Sequence, residues 1–279
     1  MTICIAAVCQ QNDIPRVILC ADWKEQSTLG SRESADKFHK LKPGWIALGA
    51  GTSRNIALLV REYQKHFRAA GEITDENIAE MMRVPLRNMK KSLNDEYIQG
   101  RYAMSYDEFL DIGRDKFPPE VFKRELEHLA DMTLDAHLII VGFTGDEGQK
   151  APNICMTDSN GLIHLEEHYT AIGEGDLLAI PSLNSRECNM DTPMTEAIYY
   201  VYEAKVAAEK MPSVGEDVDI NIINASGHVL TLTEEGWDRL DKMYKKYHPK
   251  IKEKDFEMIS ENFESSELAE KKLAIRHEG

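Results

Sequence analysis

The chain opens Met1-Thr2-Ile3-Cys4-Ile5, a threonine behind the initiator methionine and at the head of an apolar run. A small second residue permits removal of Met1, and Thr2 would then carry a free amine and a hydroxyl on one residue. That pair suffices for an N-terminal nucleophile. The hydroxyl attacks a carbonyl and the amine accepts its proton, with no histidine required. An α-amino group titrating near ~7.7–8.0 is suited to that transfer at neutral pH.

Other constellations carry less. His164-Leu165-Glu166-Glu167-His168 matches the H-x-x-E-H pattern of a zinc peptidase class. The pattern works on a helix, where ligands four apart share a face. Here it follows Asn160-Gly161 and reads as a strand entering a turn, so no metal is expected. Gly49 and Gly51 lack both the Lys-Ser/Thr of a phosphate loop and the third glycine of a dinucleotide fingerprint, and no cofactor is expected. Cys4, Cys9, Cys20, Cys155 and Cys188 are odd in number and scattered, without a C-x-x-C. They read as reduced core thiols of a cytoplasmic protein. Cys4 and Cys9, at odd spacing on one strand, point to opposite faces and are packing residues.

The 33 Lys and Arg against 48 Asp and Glu give a formal charge of −15 over 279 residues. Such a surface repels phosphate backbones and anionic bilayers, so neither nucleic acid nor membrane is an expected partner. No run approaches the ~20 apolar residues of a membrane span. The apolar opening is too short for a secretory signal and lacks its basic flank.

The elements that must position Thr2 follow from periodicity. Residues 2–9 and 16–22 alternate as a strand pair around polar turn text, and residues 37–41 and 45–50 form a second pair around Pro43-Gly44. Residues 55–69 carry Ile56, Leu59, Val60, Tyr63 and Phe67 at helical spacing, and a second helix with Pro85 inside starts near residue 74. Strands resume at 138–143, 153–157 and 162–164, with Asn160-Gly161 as a hairpin signal. Helices at 177–183 and 193–210 precede a last hairpin, 218–225 with 228–232, around Ser226-Gly227. A helix at 234–247 and a charged, solvated tail at 250–272 close the chain. This order predicts an α+β fold of four layers, an αββα sandwich. The domain is placed at 1–232, with a helical insertion about 100–131 and a C-terminal helical extension at 233–279.

Thr2, then Asp22 ending Val17-Ile18-Leu19-Cys20-Ala21-Asp22, then Lys37 in Asp36-Lys37-Phe38-His39-Lys40-Leu41, then Ile46-Ala47-Leu48-Gly49-Ala50-Gly51, form an ordered set. The set resembles the proteasome β-subunits and their bacterial relatives, members of the N-terminal nucleophile (Ntn) hydrolases. Val141-Gly142-Phe143, with Pro152, Asp158 and Gly161, is similar to the family's central hairpin, and Ala171-Ile172-Gly173-Glu174-Gly175 to its Gly-rich turn. The resemblance implies Thr2 Oγ as nucleophile and its own amine as proton acceptor. A Lys37 ammonium would repel a charged amine and attract a forming alkoxide, and Asp22 would hold that ammonium in place. A backbone N–H near Gly49 would stabilise the oxyanion.

Two positions depart from the family pattern. Glu174 stands where the family has a serine; it would ion-pair with the amine, act as a local proton acceptor, or face away. Ser213, in Met211-Pro212-Ser213-Val214-Gly215, stands near the family's later Asp and Ser, but this stretch has no Asp. The implied activity is a threonine-dependent hydrolase of peptides or smaller amides, or a transpeptidase if an amine takes the acyl group. The implied assembly is a homo-oligomeric ring or spiral. The competing reading is a catalytically silent scaffold or binding subunit.

Overall fold

The opening apolar run forms β1 (Cys4–Gln11) and pairs antiparallel with β2 (Ile14–Asp22). Asn12 and Asp13 turn the chain between them at φ of 53° and 61°, a left-handed conformation that short polar side chains tolerate. This computed structural model describes residues 2–27, 30–33, 37–146 and 150–247. Met1 and the charged tail at 250–272 lie outside the described residues.

Next come a short pair, β3 (Lys24–Ser27) with β4 (Gly30–Glu33), and then β5 (Phe38–Lys42) with β6 (Trp45–Gly51). The short pair has no signal in the sequence, because its residues neither alternate nor carry apolar content. Helix α1 (Ser53–Ala69) leads to α2 (Ile78–Tyr102), which carries Pro85 in its interior and extends well into the charged stretch. Helices α3 (Tyr106–Lys116) and α4 (Pro119–Asp131) follow, the latter starting on a proline whose missing N–H costs nothing at that position. Strands β7 (Ala136–Thr144), β8 (Ala151–Thr157), β9 (Ile163–Glu166) and β10 (Tyr169–Ile172) follow. Helices α5 (Asp176–Ser185) and α6 (Met194–Ala208), then β11 (Val218–Asn224) and β12 (Val229–Thr231), bring the chain to Leu232.

The fold is mixed α+β, with seven helices and two antiparallel five-stranded sheets among the described residues. One sheet has the order β10-β1-β2-β11-β12 and the other β5-β6-β7-β8-β9; β3 and β4 stand apart as a two-stranded ribbon. Strand alternation assigns the faces. Cys4, Ala6 and Val8 of β1, with Val17, Leu19 and Ala21 of β2, bury against Ile46, Leu48 and Ala50 of β6 and Ile139 and Val141 of β7. The alternate residues of the second sheet, Ala47, Leu138, Ile140 and Cys155, pack against Leu59, Val60, Tyr63 and Phe67 of α1 and Met82 of α2. Helices α5 and α6 contact β10, β1 and β2. Each fully buried Leu, Ile or Val contributes roughly 1.5–3 kcal/mol, so the residues shared between the sheets are the main force fixing one sheet against the other.

Helices α2, α3 and α4 share a small core of their own. Ile98, Phe109 and Leu129 are buried with a group of rings, Phe109 and Phe122 lying 5.2 Å apart. Beside it Glu125, 1% exposed, accepts hydrogen bonds from Tyr97 Oη at 2.7 Å and Arg124 Nη2 at 2.9 Å.

The chain divides into two compact units, Met1–Leu232 and Thr233–Gly279. Helix α7 (Glu234–Tyr247) is the described part of the second. Thr233 Oγ1 caps it by accepting from Gly236 N at 3.2 Å, and Glu235–Arg239 and Asp241–Lys245 pair along its face.

Candidate functional site

At one end of the sheets three chain segments meet: the residues before β1, the end of β2 and the start of β5. They bring Thr2, Asp22 and Lys37 together. Thr2 Oγ1 donates to Asp22 Oδ1 and accepts from Lys37 Nζ. Lys37 Nζ also lies 2.6 Å from Asp22 Oδ1 and donates to the carbonyl of Lys24 at 2.9 Å. All three side chains are buried, Asp22 completely.

Strand register explains the meeting. Cys4 lies opposite Ala21 in the β1–β2 ladder, so Ile3 lies opposite Asp22. Asp22 N donates to Ile3 O at 3.2 Å, and Ile3 N returns a bond to Asp22 Oδ1 at 3.0 Å. The carboxylate is therefore tied back across the strand pair and lies beside Thr2. Its other oxygen, Oδ2, accepts from Gly215 N at 2.8 Å. A buried carboxylate with donors on both oxygens is fixed in orientation. Lys37 directly precedes β5, and the antiparallel pairing of that strand with β6 holds it at the same sheet end.

Gly49 pairs with Leu138 in the β6–β7 ladder, and its carbonyl accepts from Cys4 Sγ at 3.6 Å. Thr52 N donates to Asp135 O at 2.9 Å, toward β7. With period two along an extended chain, the amides of Gly49 and Gly51 turn to the opposite side, toward β5; the register sets Gly49 opposite Lys37, just before that strand, and Gly51 beyond it. Burial pushes the Cys4 thiol up to about 12, with Lys37 opposing and Asp22 adding to the shift. Cys4 stays a neutral packing group against the site.

The Gly173-Glu174-Gly175 turn runs along the same end. Gly173 sits at φ +105°, and a Cβ there would lie 2.1 Å from the Thr2 carbonyl oxygen. A Cβ on Gly175 would lie 3.1 Å from Ile3 Cβ. Only glycines let this turn approach the first residues of the chain so closely. Glu174 is half-buried and forms no ion pair among the described residues. Ser213 is 5% exposed, and its Oγ finds no hydrogen-bond partner among the described residues. Its loop reaches the site through Gly215 N.

His164 lies on β9 and His168 in the bend after it, so the H-x-x-E-H run is not helical. No group of His, Cys, Asp or Glu among the described residues could hold a metal ion. The five cysteines are free and buried. No described helix is long and apolar enough to cross a membrane.

The groups that sequence reasoning missed are main-chain ones: the Lys24 carbonyl on Lys37, the Gly215 amide on Asp22 and the Gly173 backbone against Thr2. Side-chain identity carries no signal for the first. Gly173 and Gly215 are visible only as glycines. A scan of the chain against protein-family models finds no match, and a search of curated proteins finds none either.

Proposed function

We propose that this chain is an N-terminal threonine hydrolase of amide bonds, built as a proteasome β-like, four-layer αββα Ntn sandwich. One observation carries the reading: the Lys37 ammonium lies against both Thr2 Oγ1 and the Asp22 carboxylate in a buried site. A buried lysine aimed at a threonine hydroxyl is poor design for packing alone, since burying the charge is costly. It suits a hydroxyl that must become an alkoxide, whose charge it stabilises where water is excluded.

The chemistry requires that Met1 be removed. Thr2 Oγ then attacks the substrate carbonyl carbon, and its proton passes to the free α-amine. The oxyanion is held by the β6 edge, with the amide of Gly49 or of Gly51 as donor. The amine returns the proton to the leaving nitrogen as the C–N bond breaks, leaving an ester on Thr2. Water attacks this ester, the amine takes one of its protons, and Thr2 is regenerated with release of the acid. An amine acceptor in place of water would make the same ester a transpeptidation intermediate. Neither route draws on a metal or cofactor.

The substrate is a peptide or a small amide, the setting is the cytoplasm, to which free buried thiols are suited, and the assembly is a homo-oligomeric ring or spiral. The test is intact mass of the purified native chain followed by treatment with a peptide β-lactone. Loss of Met1 with one adduct confined to Thr2 is expected. A chain that begins at Thr2 and takes no adduct would instead be a silent scaffold.

A further inference from the structure

Helix α6 buries a lysine that the mechanism above does not use. Lys205 is 2% exposed. Its Nζ donates to Glu209 Oε1, one helical turn on, and to the main-chain carbonyl of Glu216. Glu216 directly follows Gly215, whose amide is the group bonded to Asp22 Oδ2 at 2.8 Å. The same loop is held at its other side by Lys24 Nζ, 2.8 Å from the Pro212 carbonyl. Lys24 in turn offers its own carbonyl to Lys37 Nζ at 2.9 Å.

We propose that Lys205 is a positioning residue for the Thr2 site: by pinning the Glu216 carbonyl it fixes the Gly215 amide on Asp22, and through Asp22 the Lys37 ammonium on Thr2 Oγ1. This assignment rests on the threonine reading of the site for its effect on rate, though not for its effect on the loop. The asymmetry of the Asp22 contacts gives the reason. Oδ1 receives Thr2, Ile3 and Lys37, whereas Gly215 N is the one donor recorded on Oδ2 among the described residues. Without it the carboxylate is held by its Oδ1 donors alone, which loosens the oxygen that orients Lys37. The loop has little slack of its own. A Cβ on Gly215 would lie 2.9 Å from Lys24 Cβ and 3.4 Å from Asp22 Oδ2.

A lysine that merely fills its helix face would change stability when removed, but not the orientation of Asp22. The experiment uses full-length chain beginning at Thr2 and a peptide β-lactone, with the adduct followed by mass. Lys205→Met is expected to lower the maximal acylation rate at least tenfold with the half-saturating lactone concentration unchanged. Gly215→Ala, which displaces the amide directly, is expected to give the same loss, and the double variant no further loss. Lys205→Arg, which keeps a buried cation and donor, is expected to recover at least a third of the rate. Hydrogen exchange at the Gly215 amide gives the second reading, at least tenfold faster in Lys205→Met while the amides of β1 and β2 keep their protection.

If Lys205→Met does not fold, Glu209→Gln serves instead, with a threefold or greater loss of rate and of Gly215 protection expected. Wild-type rate and wild-type Gly215 protection in the folded variant overturn the proposal. A wild-type chain that never reacts removes the threonine reading alone, because exchange at Gly215 still decides whether Lys205 holds the loop.

Discussion

Lys37 Nζ lies 2.6 Å from Asp22 Oδ1, with the carboxylate fully buried and the lysine side chain 10% exposed. A pair so enclosed is strongly coupled, and removing one member strands the charge of the other. Lys37→Met is therefore expected to cost about 3–5 kcal/mol of stability, as is Asp22→Asn in lesser degree. The double variant should recover most of that loss while remaining inert toward a β-lactone. Urea unfolding of the three variants measures it; additive losses would mean that the two side chains are not coupled.

The proposed nucleophile is tested by two substitutions at Thr2. Thr2→Ser keeps the hydroxyl and should keep acylation within about tenfold of wild type, whereas Thr2→Val, of nearly the same shape, should abolish the adduct. Thr2 Oγ1 is bonded on both sides, to Asp22 and Lys37, so Val also takes one bond from each of two buried polar partners. A stability loss of about 1–3 kcal/mol is expected from that alone. An adduct on the Val variant, located by peptide mapping, would place the chemistry elsewhere.

Much of this arrangement is legible in the sequence, and the reason differs by residue. The alternation of residues 2–9 and 16–22 marks β1 and β2, and counting back from their short turn sets Asp22 opposite Ile3. The helical spacing of Leu59, Val60, Tyr63 and Phe67 marks the buried stripe of α1. The ribbon of β3 and β4 has no comparable pattern, so its pairing is decided by tertiary context. Lys205 is hidden for a related reason. A lysine on a helix reads as a solvated residue, and only the fold reveals a carbonyl waiting for it. The twist of the Gly173 backbone toward Thr2 is a matter of φ, to which composition gives no access beyond the glycine itself.

Gly173 supplies a steric prediction. At φ +105°, with the Thr2 carbonyl oxygen 2.1 Å from where a Cβ would stand, alanine is both strained and obstructed by main chain that cannot swing away. Gly173→Ala is expected to lower stability by about 2–4 kcal/mol and to slow acylation of Thr2 at least a hundredfold. Thermal unfolding and the lactone rate check the two effects separately. An Ala variant with wild-type rate would show that the turn does not set the position of Thr2.

The core shared by α2, α3 and α4 should have a pH dependence of its own. Burial opposes ionisation of Glu125, but hydrogen bonds from Tyr97, Arg124 and Tyr102, with the Arg101 charge, hold its carboxyl down at about 2. A folded value below the unfolded one means that the folded form carries fewer protons than the unfolded chain between the two values. The stabilisation is complete above the unfolded value near ~4.3 and is lost as the pH falls from there toward 2. Amide exchange in α2, α3 and α4 is expected to accelerate over that window ahead of the sheets. Glu125→Gln should show the faster exchange already at pH 7, and an unchanged profile in that variant would assign the acid response to another group.

Glu174 bears on how the proposed enzyme works with pH. It stands between Gly173, whose backbone lies on Thr2, and Gly175, whose backbone lies on Ile3, so its main chain borders the place where a free Thr2 amine would form. The charged groups facing that place are Lys37 and Asp22, already bonded to each other, with the neutral Cys4 behind them. A free carboxylate added to this set favours the protonated amine, which is the form unable to accept the hydroxyl proton. Acylation should therefore rise with pH along a limb that reports loss of the amine proton. Glu174→Ser should move the limb toward lower pH without changing the plateau rate, since the base itself is untouched. If the substitution leaves the limb in place and lowers the plateau, the carboxylate is acting as a proton acceptor rather than a counter-ion. If neither changes, Glu174 faces away from the amine.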